Sequence, residues 1–271
     1  MWPVLKRLLL GIILILIASG ILLFSDVKHR QRGAVRNEPV ESQQTKKWRI
    51  LLAMLVEAAP MEEASEGMRA GLNQAGLVEG QDYEIVERNA QGDMATLNSI
   101  LDTASTDQVD MIFTITTPAL QTAMNKVKDK PVIFSLAVDP ASWGGAKSES
   151  DHPPNMTGVY VNSPFQRMID VIRQCFPKTK KIGTLFSPAE SNSVYIKDLF
   201  SSIVRKNGLE IVTVPVNSSV EVSEASQTLV QRGIDAFCQI GDNTSSAAFP
   251  SIIRVADAAK VPLFCFSSFH V

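Results

Sequence analysis

The sequence predicts an α/β protein built from two successive Rossmann-like lobes, each a parallel β-sheet covered by helices. Three observations lead there. From residue 48 onward short β-branched runs alternate with segments of helical period, the first of these runs is apolar almost throughout, and the second half of the chain repeats the order of the first. With 271 residues, of which 45% are hydrophobic and 20% charged, the chain can bury one large core or two smaller ones.

The elements follow in order. Lys6 and Arg7 precede an unbroken apolar run, Leu8 to Phe24 (LLLGIILILIASGILLF), which as a helix would span about 26 Å. Residues 1–25 therefore read as a signal peptide cleaved near Ala18-Ser19-Gly20 or as an uncleaved anchor; the apolar run continues past the small residues, which favours the anchor. No Cys follows the run to receive a lipid. Lys28, Arg30, Arg32 and Arg36 outnumber the two basic residues ahead of it, and the positive-inside rule taken alone places the body in the cytoplasm. Residues 26–47 are polar without apolar periodicity and are expected to form a flexible stalk.

The first lobe is assigned to residues 48–163. Arg49–Val56 (RILLAMLV) has the continuous apolar character of a parallel strand buried on both faces. A helix from Met61 to Ala75 follows, stopped by Gly76. Further strands are expected at Tyr83–Glu87, Met111–Thr116, Val132–Leu136 and Thr157–Val161, with helices at Met94–Ser105 and Ala119–Val127. The second lobe, 164–271, starts with a helix at Phe165–Cys175. Strands at Lys181–Phe186, Glu210–Val214, Ala236–Ile240 and Leu263–Phe266 then alternate with helices at Val194–Lys206, Glu221–Gln231 and Ser245–Ala259.

The halves echo each other. KWRILLAMLVEAAP parallels KKIGTLFSPAESN, VDMIFTITTPALQTA parallels IDAFCQIGDNTSSAA, and KPVIFSLAVDP parallels KVPLFCFSS. The middle pair sets polar clusters, Thr116-Thr117 and Asp242-Asn243-Thr244, on turns from a buried strand into a helix. Such turns lie at the carboxyl end of a parallel sheet, where open α/β folds bind ligands, and helix N-termini there suit an anionic group.

Composition excludes several classes. Residues 1–50 hold nine Lys/Arg against three Asp/Glu, leaving 17 against 25 for the rest, so the body is acidic and no nucleic-acid partner is expected. Cys175, Cys238 and Cys265 are widely spaced, and His29, His152 and His270 form no cluster, so neither a metal site nor a Ser-His-Asp triad is expected. No phosphate loop or nucleophile elbow is present, and no cofactor is expected; Glu62 and Glu63, the carboxylates an α/β enzyme would need, read as a solvated helix face.

Six stretches, GLVEGQDYEIVERNAQGDMATLN (76–98), VDMIFTITTPALQTA (109–123), KPVIFSLAVDP (130–140), NMTGV (155–159), KTKKIGTLFSPAESNSV (178–194) and GDNTSSAAF (241–249), are together similar to the ABC-importer substrate-binding family that includes bacterial tryptophan- and tyrosine-binding proteins. The resemblance covers nearly all of residues 48–266 in the family's order. It implies a type I periplasmic-binding-protein fold, a periplasmic or other extracytoplasmic location with the apolar helix anchored in the cytoplasmic membrane, an ABC permease as partner, and an amino acid or similar small metabolite as ligand. By position it also implies cleft residues: Thr116, Thr117, Asp139, Ser191, Asn192, Ser193, Asp242, Asn243 and Thr244. Ser191–Ser193 and Thr117 would precede helices and hold a carboxylate, while Asp139 or Asp242 would pair with an α-ammonium. Glu57, just past the first strand, is a further candidate, and Phe186 and Trp143 are possible stacking partners. N-capping is the alternative role for the same Ser, Thr and Asn residues. Family members continue past the strand at which this chain stops, so the second lobe is expected to be truncated. A membrane-tethered ligand sensor is the alternative reading within binding proteins, and an α/β enzyme the alternative from another class.

Overall fold

A computed structural model describes residues 46–106, 108–148 and 150–265. The predicted apolar helix at 8–24, nearly all of the stalk and the last six residues lie outside that range. Among the described residues, no helix is long and apolar enough to cross a membrane.

The chain forms two parallel sheets. The first contains β1 (Trp48–Met54), β2 (Tyr83–Asn89), β3 (Met111–Ile115), β4 (Val132–Ala137) and β5 (Met156–Tyr160) in the order β2-β1-β3-β4-β5. The second contains β6 (Lys181–Phe186), β7 (Glu210–Pro215), β8 (Ala236–Cys238) and β9 (Leu263–Phe264) in the order β7-β6-β8-β9. These orders superimpose, with β6, β7, β8 and β9 taking the places of β1, β2, β3 and β4. The sequence echo is therefore a structural repeat.

Burial explains why these strands occupy these positions. Ile50 to Met54 of β1 are all buried, as a strand flanked by neighbours and covered on both faces must be, whereas edge strand β5 buries only Met156 fully. An acidic residue ties each central strand to its neighbour. Asp110 accepts from the Arg49 N–H at 2.9 Å, and Asp235, at the matching place in the repeat, accepts from the Lys180 and Lys181 N–H groups at 2.8 Å.

Helices cover the sheets: α1 (Ala59–Gln74), α2 (Met94–Thr106), α3 (Thr117–Lys126), α4 (Phe165–Cys175), α5 (Ser191–Lys206), α6 (Val222–Gln231), α7 (Asn243–Ala247) and α8 (Phe249–Ala259). Helix α4 shows the rule most clearly. Phe165, Met168, Ile169 and Ile172 recur at helical spacing and are buried, and the Phe165 ring packs on Phe200 of α5 with centroids 4.9 Å apart.

Three sequence expectations need correction. Helices α3 and α5 begin at Thr117 and Ser191, earlier than periodicity placed them, because Pro118 fits a first helical turn and the polar Ser191–Ser193 are drawn into one. Thr117 and Ser191–Ser193 thus lie inside the helices they were expected to precede. The helix expected over Ser245–Ala259 is two helices, broken around Ala248, since Pro250 lacks an N–H and is accommodated only in the first turn of α8.

Candidate functional site

The carboxyl ends of β3 and β4 in the first lobe and of β8 in the second, with the first turns of α1 and α5, converge on a narrow cleft of about 50 Å³. Its apolar wall is aliphatic: Pro60, Met61, Leu136, Val138, Val161 and Ile196. Its polar lining comprises Thr116 and Ser163, facing Asn192, Asp242, Asn243 and Ser246 of the second lobe.

Two features set this cleft apart. Thr116 Oγ1 and Asn192 Oδ1 are buried polar atoms without a hydrogen-bond partner, one from each lobe, although each residue is only 5% exposed. A buried polar atom without a partner loses about 1–3 kcal/mol that a ligand group can restore. The backbone is also strained at two lining residues, with φ of 75° at Thr116 and 54° at Leu136. For a β-branched residue such as Thr this is a true outlier, and such strain clusters at ligand clamps.

The lobes present opposite polarity. On the first-lobe side α3 starts at Thr117, so the N–H groups of its first turn have no acceptor within the helix and the positive end of its dipole meets the cleft. On the second-lobe side α7 starts beside two buried carboxylates. Asp242, 2% exposed, accepts from the Ser187 N–H at 2.9 Å and from the Ser245 N–H. Glu190, 4% exposed, accepts from the N–H groups of Asn243 and Thr244 at 3.1 Å, from Thr244 Oγ1 at 2.7 Å and from Asn243 Nδ2. Burial, and then the charge of Asp242, push the Glu190 carboxyl above the usual range; the bonds from Thr244 and Asn243 pull against this.

Thr116, Asn192, Asp242 and Asn243 therefore line the cleft, and the other sequence candidates stand behind it or apart from it. Thr117 Oγ1 accepts from the Val138 N–H at 2.9 Å, and Ser193 Oγ accepts from the Ser187 N–H at 2.8 Å, so both hydroxyls brace cleft turns. Thr244 is held by Glu190. Ser191 donates to Gln121 Oε1 at 2.9 Å, joining α5 of one lobe to α3 of the other. Asp139 is not in the cleft: it caps a short 3₁₀ turn by accepting from the Ala141 N–H. Glu57 is exposed, at 3.4 Å from Asn89 Nδ2. Phe186 lies under Lys197, whose Nζ is 4.9 Å from the ring centre, and Trp143 makes a long contact to the Val138 carbonyl; neither lines the cleft.

Glu190 was missed by sequence reasoning. The repeat does not mark it: in the register of the two sheets Glu190 falls opposite Ala58, each being the residue before a helix. A larger hollow of about 280 Å³, lined by Asp139, Phe134, Met156, Gly158 and Tyr160 among others, flanks edge strand β5. It belongs to one lobe and its lining holds none of the unpartnered buried atoms, so the inter-lobe cleft is the better site. Among the described residues no group of three or more His, Cys, Asp or Glu side chains is placed to hold a metal ion.

The family model for ABC transporter substrate binding proteins matches residues 49–271. The chain belongs to this family. The Tyrosine-binding protein of Clostridioides difficile (strain R20291) is 30% identical over 254 residues, 93% of this chain and 73% of that protein. Among solved structures, a conserved domain protein from Vibrio cholerae O1 biovar El Tor superimposes with a TM-score of 0.78 at 26% identity. An ABC domain from Streptococcus pneumonia in complex with L-Trp superimposes with a TM-score of 0.77 at 27% identity; both cover 83% of this chain and 76% of the other.

The ligand-free, open form of a substrate binding protein with adhesive properties from Clostridium difficile, 28% identical over the same shares of the two chains, superimposes with a TM-score of only 0.56. In the present structure the Ser191–Gln121 bond links the two lobes directly.

Proposed function

We propose that this protein is the extracytoplasmic solute-binding component of an ABC importer and that it closes over an amino acid in the inter-lobe cleft. The observation that carries this reading is the pair of unpartnered buried atoms, Thr116 Oγ1 and Asn192 Oδ1, facing one cleft from opposite lobes. A ligand that supplies a partner to both is enclosed only when the lobes close, which is hinge-type binding.

The polarity of the cleft sets the ligand's orientation. A carboxylate belongs at the start of α3, where first-turn N–H groups and the Thr116 hydroxyl donate. It is repelled on the other side, where Asp242 and Glu190 already hold the turn; an α-ammonium belongs there, between Asp242 and Asn192 Oδ1. The side chain then rests on the aliphatic wall. Because relatives are named for tyrosine and solved with L-Trp, these two are the first ligands to test. Thermal shift with the free amino acids tests the reading: a binder raises the melting temperature through mass action on the native state, N-acetylation of it abolishes the shift, and no shift from any amino acid overturns the proposal.

The apolar run Leu8–Phe24 tethers this body to the membrane beside an ABC permease. Fractionation of the full chain from cells distinguishes the cases. An anchored protein stays with membranes after a high-salt wash, and its body is cut by protease added from outside the cytoplasmic membrane. Release into the soluble fraction would end the anchor reading.

A further inference from the structure

We propose that Glu190 is the positioning residue of the ligand site: its carboxylate splints the β8–α7 turn against the β6–α5 turn and so aims Asp242 and Asn243 into the cleft. The inference rests on the amino-acid reading for its consequence, but its structural claim stands separately.

All four donors to Glu190 come from two consecutive residues, Asn243 and Thr244, each giving its backbone N–H and its side chain. These residues open α7, a helix of only five residues. A helix so short cannot sustain itself, since nucleation is costly and few bonds follow it. Its first-turn geometry therefore depends on what its N–H groups meet. Glu190 takes two of them and Asp242 takes a third, from Ser245.

The arrangement is electrostatically unfavourable by itself. Two carboxylates share a buried site, and no buried cation offsets them among the described partners. The charged group acting on Glu190 is Asp242; its partners on α7, Asn243 and Thr244, are neutral. A ligand ammonium beside Asp242 supplies the missing positive charge.

The repeat provides an internal control. Its counterpart in the first lobe is Ala58, the residue before α1 as Glu190 is the residue before α5, and it carries no carboxylate; the adjacent Glu57 is exposed, 3.4 Å from Asn89 Nδ2. The fold thus forms a strand-to-helix turn at this position without a buried carboxylate. What distinguishes the second lobe is that Asp242 and Asn243 line the cleft.

The test uses full-length protein with Glu190→Gln, which keeps the shape but turns one acceptor oxygen into a donor facing donors, and with Glu57→Gln as control. L-tryptophan and L-tyrosine are the probes, titrated from neutral pH down toward the ordinary carboxyl value of 4.5, the side on which burial places Glu190. In the parent protein affinity falls as pH falls, because a protonated Glu190 no longer accepts from all four donors. Glu190→Gln binds at least about tenfold more weakly and its affinity is flat with pH. Hydrogen exchange at the Asn243 and Thr244 amides quickens about tenfold or more, while β1 amides are unchanged. Glu57→Gln does neither. Unchanged exchange at those two amides, or affinity within about twofold of the parent, overturns the proposal. So does a Gln variant without a cooperative melt, which would make Glu190 a folding residue. If the parent protein binds neither probe nor any other amino acid, the ligand reading fails while the exchange result still decides the role of Glu190.

Discussion

The turns that leave β3 and β8 occupy the same place in a repeated fold and have been given opposite chemistry. Thr116 stands where the second lobe has Gly241, and it pays with a φ of 75° and an unpartnered hydroxyl. One residue later Thr117 is matched by Asp242, whose carboxylate accepts from Ser187 and Ser245. The first turn offers donors; the second is filled with acceptors. The lesson is that a duplicated sheet supplies two facing helix ends for free, whereas polarity across the cleft is written residue by residue on top of it.

The comparison breaks most severely at Asp242. Asp242→Asn keeps the size of the side chain but removes the charge that faces an ammonium, and affinity for the amino acid is expected to fall about 100-fold, as for other buried charge pairs, measured by isothermal titration. Retained affinity would mean that the second lobe does not receive the ammonium.

On the donor side Thr116→Val is expected to weaken binding about tenfold, the scale of one buried hydrogen bond. Its control is Thr116→Gly, which places the second lobe's residue into the first. Glycine accepts a positive φ without strain, so this variant should gain about 1 kcal/mol and melt about 2–4 °C higher without ligand. It should lose affinity like the Val variant. A Gly variant that melts lower than the parent would show that the hydroxyl, not the backbone, governs stability there.

Smaller still is the linkage between pH and ligand-free stability. A carboxyl raised in the folded state binds its proton more tightly folded than unfolded. Glu190 therefore lowers stability at neutral pH. That loss is recovered as pH falls through its folded value toward its ordinary value of 4.5, with no further gain below. Asp110 acts with the opposite sign: the Arg49 N–H and then Lys46 hold its carboxyl low, so its contribution is lost as pH falls through that lowered value. Denaturant melts of the parent and Glu190→Gln across acid pH isolate the first effect as a difference. The parent should gain relative to the variant on acidification, and a gap independent of pH would refute the assignment. The smallest effect belongs to Glu57→Gln, for which binding and melting are expected to match the parent within error.

Much of the fold was legible before any coordinates. Continuous apolar runs such as RILLAMLV mark strands covered on both faces, and the paired segments placed β6, β8 and β9 opposite β1, β3 and β4 in matching sheet positions. Helix α4 and strand β6 fall on their predicted limits because Pro164, Phe176 and the apolar spacing leave little choice. Of the cleft lining, Thr116, Asn192, Asp242 and Asn243 were legible through the polar turns. Asp139 stands apart from the cleft, capping a local turn beside the larger hollow, and a carboxylate at a strand end reads alike in either place. Glu190 was overlooked because, within one segment, it looks like any solvated glutamate.

The sequence by itself determined which segments are strands and helices, that the body is two repeated α/β units, and that polar turns stand at the ligand-binding ends of both sheets. Those properties follow from local periodicity, from turn chemistry and from the repeat. Only the tertiary structure decided which of those polar groups line the cleft and that Glu190 is buried while Glu57 is not. Burial, pairing and strain depend on residues that are up to 70 positions apart, as Ser191 and Gln121 are, and no local pattern encodes that distance.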